Sequence, residues 1–340
     1  MRPFPSSLKR LRFLSLDVLP PDNHPAVFRD SFFRLQKPVV FPRGVFLDLP
    51  ARSKWFLGDR DSGRKSVPVP RLNYDYLDKY GDCHVQLELS QHSAAAPETR
   101  DSSESAETHS FTRSYAPLNL FFDWTRAAQQ RGSSSSVSSP SENRTCAQDT
   151  RLYLAQCQLL DLHPDLRADL PTPSIISTAG NGDVYDTNIW MGLAPTYTPL
   201  HRDPNPNLFV QLAGKKVVRL LSPEGGQTVF ERVRAELGKG GGKSQAAFRG
   251  EDMMQGHERK LLDRAVWVKQ PGSMNEGETQ SDGYETSLEA GDGLFIPLGW
   301  WHSIKGEGEG VTASVSLANL PFQHVPPRIV VAPKFRVAPG

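Results

Sequence analysis

The pattern of apolar and polar positions along this chain changes near residue 152. Before that point, apolar residues at helical spacing predict helices over residues 72–80 and 118–128. Residues 38–41 form a short apolar strand, and residues 85–89 alternate apolar and polar side chains as a half-buried strand does. After residue 152, the chain has short apolar runs separated by Pro, Gly and Asn, a pattern typical of an all-β barrel or sandwich.

The part of the chain after residue 152 contains the clearest strand signals. They cover residues 208–212, 216–221, 293–297 and 311–317. Gly214 lies between the first two runs and predicts a hairpin turn that joins them.

Lys216 stands out within the second of these strands. Alternate residues of a strand point to the same face, so Lys216 shares the apolar side with Val218 and Leu220, while Lys215 and Arg219 face outward. A buried ammonium group needs an anionic partner. The alternative is the reverse parity, which would place Lys216 in solvent.

Three polar, low-complexity stretches interrupt the pattern at residues 90–110, 131–145 and 238–245. They contain too few apolar side chains to offset the entropy of ordering them, which predicts surface insertions or linkers. The expected organisation is an α+β N-terminal region at 1–130 with a disordered insertion at 90–110, a linker at 131–148, a β domain at 149–325 with a polar insertion at about 222–285, and a tail at 326–340.

Composition narrows the possible functions. A net charge of +1 over 340 residues argues against dedicated nucleic-acid binding, and no apolar run is long enough to predict a membrane span. The three cysteines match neither a zinc site nor a disulfide framework, which favours an intracellular location in the nucleus or cytoplasm. The basic first residues also weakly resemble a mitochondrial presequence, with an ordinary first helix or strand as the alternative.

Two separated motifs carry the candidate chemistry. His201 and Asp203 would face one side of a strand, about 6–7 Å apart along the backbone, although the neighbouring prolines leave a plain turn as the alternative. Far downstream, a Glu-Ala-Gly-Asp turn feeds a buried strand, and His302 follows it beside two tryptophans. Two imidazoles and one carboxylate form the facial triad of non-haem Fe(II) oxygenases, which leaves coordination positions for a 2-oxoacid and O₂.

Residues 198–223 (TPLHRDPNPNLFVQLAGKKVVRLLSP) resemble the core of the small, stand-alone Jumonji-C (JmjC) proteins of the lysine demethylase and arginyl hydroxylase group. A Tyr-Leu-Ala-Gln run at 153–156 and the stretch ending at His302 extend this resemblance over residues 153–316. It implies a mainly β fold, the double-stranded β-helix of jelly-roll or cupin barrels, with an α+β N-terminal region. It also implies Fe(II) ligation by His201, Asp203 and His302.

The same resemblance implies further site residues. It implies 2-oxoglutarate contacts from Tyr153, Thr198, Asn207 and Lys216. It places three more residues near the pocket, Gln156, Asn188 and Trp190. The chain departs from the pattern in a long hydrophilic stretch after the Lys216 strand and in residues 317–319, where aromatic residues are expected. Both departures lie near the expected substrate entrance and leave the substrate open.

The expected function is that of an Fe(II)- and 2-oxoglutarate-dependent, O₂-consuming oxygenase with a catalytic centre at His201, Asp203 and His302. Its expected substrate is a protein or peptide side chain, which it would hydroxylate or N-demethylate through hydroxylation of the methyl carbon. One alternative is a non-catalytic cupin-fold binding module. Another is a metal-dependent cupin sugar isomerase, which usually has an additional histidine and a glutamate. The sequence leaves the oligomeric state open.

Overall fold

A computed structural model describes residues 11–20, 25–58, 69–93, 108–134, 149–179, 184–238, 254, 256–268 and 281–319. Its strands are β1 (Leu11–Ser15), β2 (Val39–Phe41), β3 (Phe56–Leu57), β4 (Arg71–Leu72), β5 (His84–Ser93), β6 (Thr108–Pro117), β7 (Asp149–Gln158), β8 (Val184–Leu193), β9 (Thr196–Arg202), β10 (Asn207–Ala213), β11 (Lys215–Leu221), β12 (Ser281–Glu289), β13 (Gly293–Ile296), β14 (Trp301–Glu307) and β15 (Val311–Asn319). Its α-helices are α1 (Pro25–Phe28), α2 (Pro50–Lys54), α3 (Tyr74–Leu77), α4 (Leu118–Ser134), α5 (Pro164–Ala168), α6 (Ser174–Ala179), α7 (Pro223–Glu236) and α8 (Gly256–Trp267).

Two large sheets form the body of the protein. One has the order β1-β12-β11-β14-β9, and the other has the order β2-β13-β10-β15-β8-β7-β5-β6. Buried side chains from both sheets share one core cluster, which includes Phe209 of β10 and Leu220 of β11. Because most neighbouring strands are antiparallel and the two sheets share a core, the fold is the jelly-roll expected from the sequence.

The N-terminal region is continuous with the barrel. β2 pairs with β13 at the edge of the larger sheet, and β5 pairs with both β6 and β7. Residues 90–93 and 108–110 of the predicted insertion lie in β5 and β6, because Ser90 and Phe111 still pair across the two strands. Residues 94–107, and residues 135–148 of the predicted linker, lie outside the described residues.

The predicted hairpin at Gly214 is wrong. β10 pairs with β13 and β15 in the larger sheet, whereas β11 pairs with β12 and β14 in the smaller sheet, so the chain passes between sheets at Gly214. Gly214 has a φ of +66°, and a Cβ there would lie 2.6 Å from the Val311 carbonyl oxygen. Glycine is therefore required for the crossing rather than for a turn between paired strands.

The hydrophilic stretch at about 222–285 contains two helices that pack on the barrel. Ser222 caps α7 by accepting a hydrogen bond from the Gly225 amide at 3.1 Å, and Phe230 of α7 packs against Trp301 with a centroid separation of 5.2 Å. A buried ion pair of 3.0 Å between Arg234 and Glu258 joins α7 to α8. Residues 239–245, which include most of the glycine-rich stretch, lie outside the described residues. Among the described helices, none has the length and apolar character needed to cross a bilayer.

Candidate metal centre and its two cavities

The two separated motifs meet because β9 and β14 are neighbours. These strands pair antiparallel with His201 directly opposite His302, and the two ring centroids lie 4.2 Å apart. Asp203 follows β9, with Oδ1 3.8 Å from His201 Nε2 and Oδ2 3.6 Å from His302 Nε2. One candidate ligand atom from each of the three residues lies within 4.8 Å of the others. Strand register therefore creates the cluster.

Backbone carbonyls orient both imidazoles. His201 Nδ1 lies 2.8 Å from the Pro199 carbonyl oxygen, and His302 Nδ1 lies 3.4 Å from the Trp300 carbonyl oxygen. A carbonyl oxygen only accepts, so in each ring Nδ1 carries the proton and Nε2 presents its lone pair toward Asp203. Two neutral imidazole nitrogens and one carboxylate are a donor set that suits Fe(II).

Burial keeps His302 in the form that binds a metal. The side chain is 3% exposed, and its pKa is lowered to about 4, with desolvation as the largest cause. The neighbouring His201 contributes to the lowering, while Asp203 and the Trp300 carbonyl act in the opposite direction. Because a protonated imidazole cannot coordinate, this arrangement maintains a ligand without competition from protons near neutral pH.

Lys216 enters the same small cavity from β11, with 2% of the residue exposed, as strand parity predicts. Its Nζ donates to Ser314 Oγ at 2.7 Å and to Tyr153 Oη at 3.4 Å. Both partners are neutral, and desolvation lowers the pKa of Lys216 to about 7. An anionic ligand in this cavity would supply the charge that the described partners lack.

The other predicted co-substrate residues lie around the same space. Tyr153, Thr198 and Asn207 all line it, and the buried Oδ1 of Asn207 has no hydrogen-bond partner among the described residues. Tyr153 lies against Gly192, where an added Cβ would come within 2.3 Å of the ring. Gly192 thus gives the phenol ring its position beside Lys216, and burial raises the Tyr153 pKa so that the phenol stays protonated.

We use the name inner cavity for the space lined by the His-Asp-His cluster, Asn207 and Lys216, which has a volume of about 40 Å³. Gln156 also lines it, at a bulge of β7 where its φ is +48°. Trp190 lines it beside Tyr153, at a ring separation of 6.4 Å. Asn188 instead donates to Asp186 at 2.8 Å and is absent from the described lining of the inner cavity.

A second, larger space shares part of its wall with the first. This outer cavity has a volume of about 580 Å³, and four residues line both spaces, namely Tyr153, Trp190, Thr196 and Thr198. The rest of its wall is assembled from β5, β6, α4, β7, the β8–β9 region, Met254, α8 and the β14–β15 region. Its size is that of a typical ligand pocket, whereas the inner cavity is much smaller.

The sequence interpretation missed two parts of this site. Ser314 of β15 accepts a hydrogen bond from Lys216, and the sequence interpretation gave it no role in the site. The outer cavity was missed entirely, because its wall combines segments that are far apart in sequence and share no spacing pattern. Arg259 carries no distinguishing signal in the sequence, because several other residues of α8 are also charged.

Comparison with known proteins defines the class. Residues 25–318 match the family described as a cupin-like domain, and the chain therefore belongs to that family. Within it, the JmjC resemblance is confirmed by relatives that carry the name. The chain is 32% identical over 158 residues to lysine-specific demethylase 8 of Danio rerio, and 29% identical over 163 residues to JmjC domain-containing protein D of Dictyostelium discoideum. Each match covers 45% of this chain and 32% of the relative.

A third relative is named for a different role. tRNA wybutosine-synthesizing protein 5 of Homo sapiens is 31% identical over 123 residues, which cover 36% of this chain and 31% of the relative. The chain thus spans about a third of the length of these curated relatives. Because relatives with such different names match this chain, family membership alone leaves the substrate open.

Proposed function

We propose that this protein is an Fe(II)- and 2-oxoglutarate-dependent oxygenase that hydroxylates a protein side chain, or removes an N-methyl group by hydroxylating its carbon. The observation that carries the proposal is the inner cavity. A His-Asp-His cluster lines one small space together with a buried lysine, for which the described residues provide no carboxylate partner. Fe(II) and a 2-oxoacid with a second carboxylate match these two features together.

In this proposal His201, Asp203 and His302 would hold Fe(II). Lys216, with Tyr153 and Asn207, binds and orients the co-substrate through its distal carboxylate, and Thr198 contributes from β9. When bound, the iron supplies the oxidation, in which O₂ and 2-oxoglutarate give succinate, CO₂ and one hydroxyl group on the substrate. The chain supplies ligand geometry, charge and exclusion of water.

The aromatic boundary between the cavities serves this exclusion. Tyr153 and Trp190 line both spaces, so a substrate in the outer cavity would cover the entrance to the inner one. Access of bulk water would then depend on whether substrate is bound. We therefore expect slow release of succinate without substrate and faster release with it.

The test is succinate release from 2-oxoglutarate by purified full-length chain under air, with and without Fe(II). We expect release that requires Fe(II) and disappears in Asp203→Ala. Full release by Asp203→Ala, or none by the wild-type protein with Fe(II), would remove the proposal. Mass spectrometry of a modified peptide, as a gain of one oxygen or a loss of one methylene, distinguishes hydroxylation from demethylation.

The alternatives make different predictions in this assay. A non-catalytic binding module would release no succinate, whether or not it binds 2-oxoglutarate. A sugar isomerase site would need further ligands, and among the described residues no other histidine or carboxylate joins the cluster. The intracellular location in the nucleus or cytoplasm, with a protein partner and without nucleic-acid binding, stays a prediction.

A further inference from the structure

The outer cavity contains acidic side chains, but each described one is already engaged by a cation of the chain. Glu88 is 4% exposed and accepts a hydrogen bond from Arg113 Nε at 2.9 Å. The other two pairs are Asp263 with Lys305 at 2.7 Å and Glu307 with Lys215 at 3.3 Å. A cationic substrate group would have to displace one of these internal partners, which costs part of the interaction that it would gain.

Arg259 differs from these paired groups. It projects from α8 into the wall of the outer cavity, with its guanidinium carbon 4.8 Å from the centre of the Tyr197 ring. Its Nε is buried without a hydrogen-bond partner in the described part of the chain. Among the described acidic residues, Asp263 is the one whose charge acts on Arg259. Its carboxylate already forms an ion pair with Lys305. A buried guanidinium donor that lacks an acceptor is costly unless a ligand provides one.

The guanidinium fork matches a carboxylate in shape and charge. The wall of the same cavity also contains apolar and aromatic residues, among them Phe111, Trp124 and Leu193. A segment that fits both parts of the wall carries an acid together with an apolar or aromatic side chain. Nucleic acid fits less well, because its affinity depends on several phosphate contacts and the chain has a net charge of only +1.

We infer that the outer cavity selects an acidic peptide segment, in which an Asp or Glu near the oxidised residue pairs with Arg259. The inference rests on the proposed function for the oxidation itself, but the recognition of the acidic segment is a separate property of the outer cavity. Arg259 is thus assigned as a substrate-binding residue, outside the metal centre and the co-substrate contacts.

The experiment uses the full-length chain with Fe(II) and 2-oxoglutarate under anaerobic conditions. Three pools of fluorescein-labelled twelve-residue peptides share one host sequence with a randomised centre. They differ only in the residue that flanks the centre on both sides, which is Glu in one pool, Gln in the second and Lys in the third. Fluorescence anisotropy gives the dissociation constant of each pool. We expect the Glu pool to bind about tenfold more tightly than the Gln pool, and the Lys pool to bind most weakly.

Variants separate a specific contact from overall charge. Arg259→Gln should remove the difference between the Glu and Gln pools, and Arg259→Lys should retain part of it. Lys260→Gln, the same charge change at the exposed neighbouring position, should leave the difference intact. Melting temperatures equal to that of the wild-type protein should show that all three variants fold.

The outcomes are distinct. Tightest binding of the Lys pool, a Glu preference that survives Arg259→Gln, binding of no pool, or tighter binding of a twelve-nucleotide uridine RNA would each overturn the inference. A Glu preference that depends on Arg259 in a protein that releases no succinate under air would support the inference while removing the proposed function.

Discussion

The inner and outer cavities differ in how the chain builds them. The inner cavity is formed by strands whose pairing fixes each side chain, as when His201 of β9 lies opposite His302 of β14. The outer cavity combines strands of both sheets with two helices, α4 and α8, so its shape depends on how these helices pack on the strands. Under the proposed function, reaction chemistry and substrate choice lie in parts of the molecule with different structural constraints, so mutations can test each of them separately.

The largest expected effect comes from the metal ligands of the inner cavity. His201→Ala, Asp203→Ala or His302→Ala should abolish Fe(II) retention and reduce succinate release to that of the iron-free protein, because each removes one of three ligands. Iron content after desalting and succinate release are the measurements. His257→Ala, at an exposed position on α8, is the control and should behave as wild type. A triad variant with wild-type iron content would contradict the assignment.

Next in size is the co-substrate contact. Lys216→Ala should weaken 2-oxoglutarate binding by about ten- to a hundredfold, since a charge-assisted pair contributes roughly 1.5–3 kcal/mol. Iron content should stay close to wild type. Titration of 2-oxoglutarate into the Fe(II)-loaded protein under anaerobic conditions gives the affinity.

Lys215→Ala provides the matched control, because Lys215 is a partly exposed neighbour paired with Glu307. It should change 2-oxoglutarate affinity little. Equal losses in the two variants would indicate a general effect of positive charge and would remove the specific role of Lys216.

The same lysine should reduce the stability of the ligand-free protein. Its pKa is lowered from 10.5 to about 7, so between these values the unfolded chain binds a proton that the folded chain does not. Stability should therefore rise with pH across this window through Lys216, by up to about 1.4 kcal/mol per pH unit. Lys216→Met should remove this rise and stabilise the ligand-free protein at pH 7 by about 1–3 kcal/mol. Urea unfolding at pH 7 and pH 9 measures both effects, and parallel pH dependences in the two proteins would contradict them.

The smallest expected effect concerns the outer cavity. Arg113→Gln removes the ionic partner of the buried Glu88, which should lower the free energy of unfolding by about 1 kcal/mol after allowance for the partial exposure of Arg113. It should also improve binding of a Lys-flanked peptide pool while leaving 2-oxoglutarate affinity unchanged. Arg34→Gln, from a surface pair with Asp30, is the control for stability. Altered 2-oxoglutarate affinity in Arg113→Gln would show that the two cavities are coupled.

Most of the barrel was predictable from the sequence because its strands have clear apolar periodicity and bounded ends. The run at 208–212 and the inward parity of Lys216 match β10 and β11 closely. The pairing was not predictable. Gly214 has the same sequence signal whether it ends a hairpin or lets the chain pass between sheets, and only the remote partners β13 and β14 decide.

The candidate site shows the same limit. His201, Asp203 and His302 were identified through short motifs, and strand register brings them together. Asn188 was placed near the pocket by resemblance alone, and in the structure its side chain bonds to Asp186. Arg259 was missed, because its importance depends on the packing of α8 against the barrel, which local sequence does not encode.

The direct pairing of His201 with His302 has a consequence for insertions in the chain. The sequence between the two motifs is free to lengthen or shorten at α7, α8 and their connections, provided that β14 returns to the same alignment with β9. A slip of a single residue in that alignment would turn the second imidazole to the other face of the sheet and break up the His-Asp-His cluster. Insertions in this interval could therefore alter the wall of the outer cavity, to which α8 contributes, while the two histidines stay aligned.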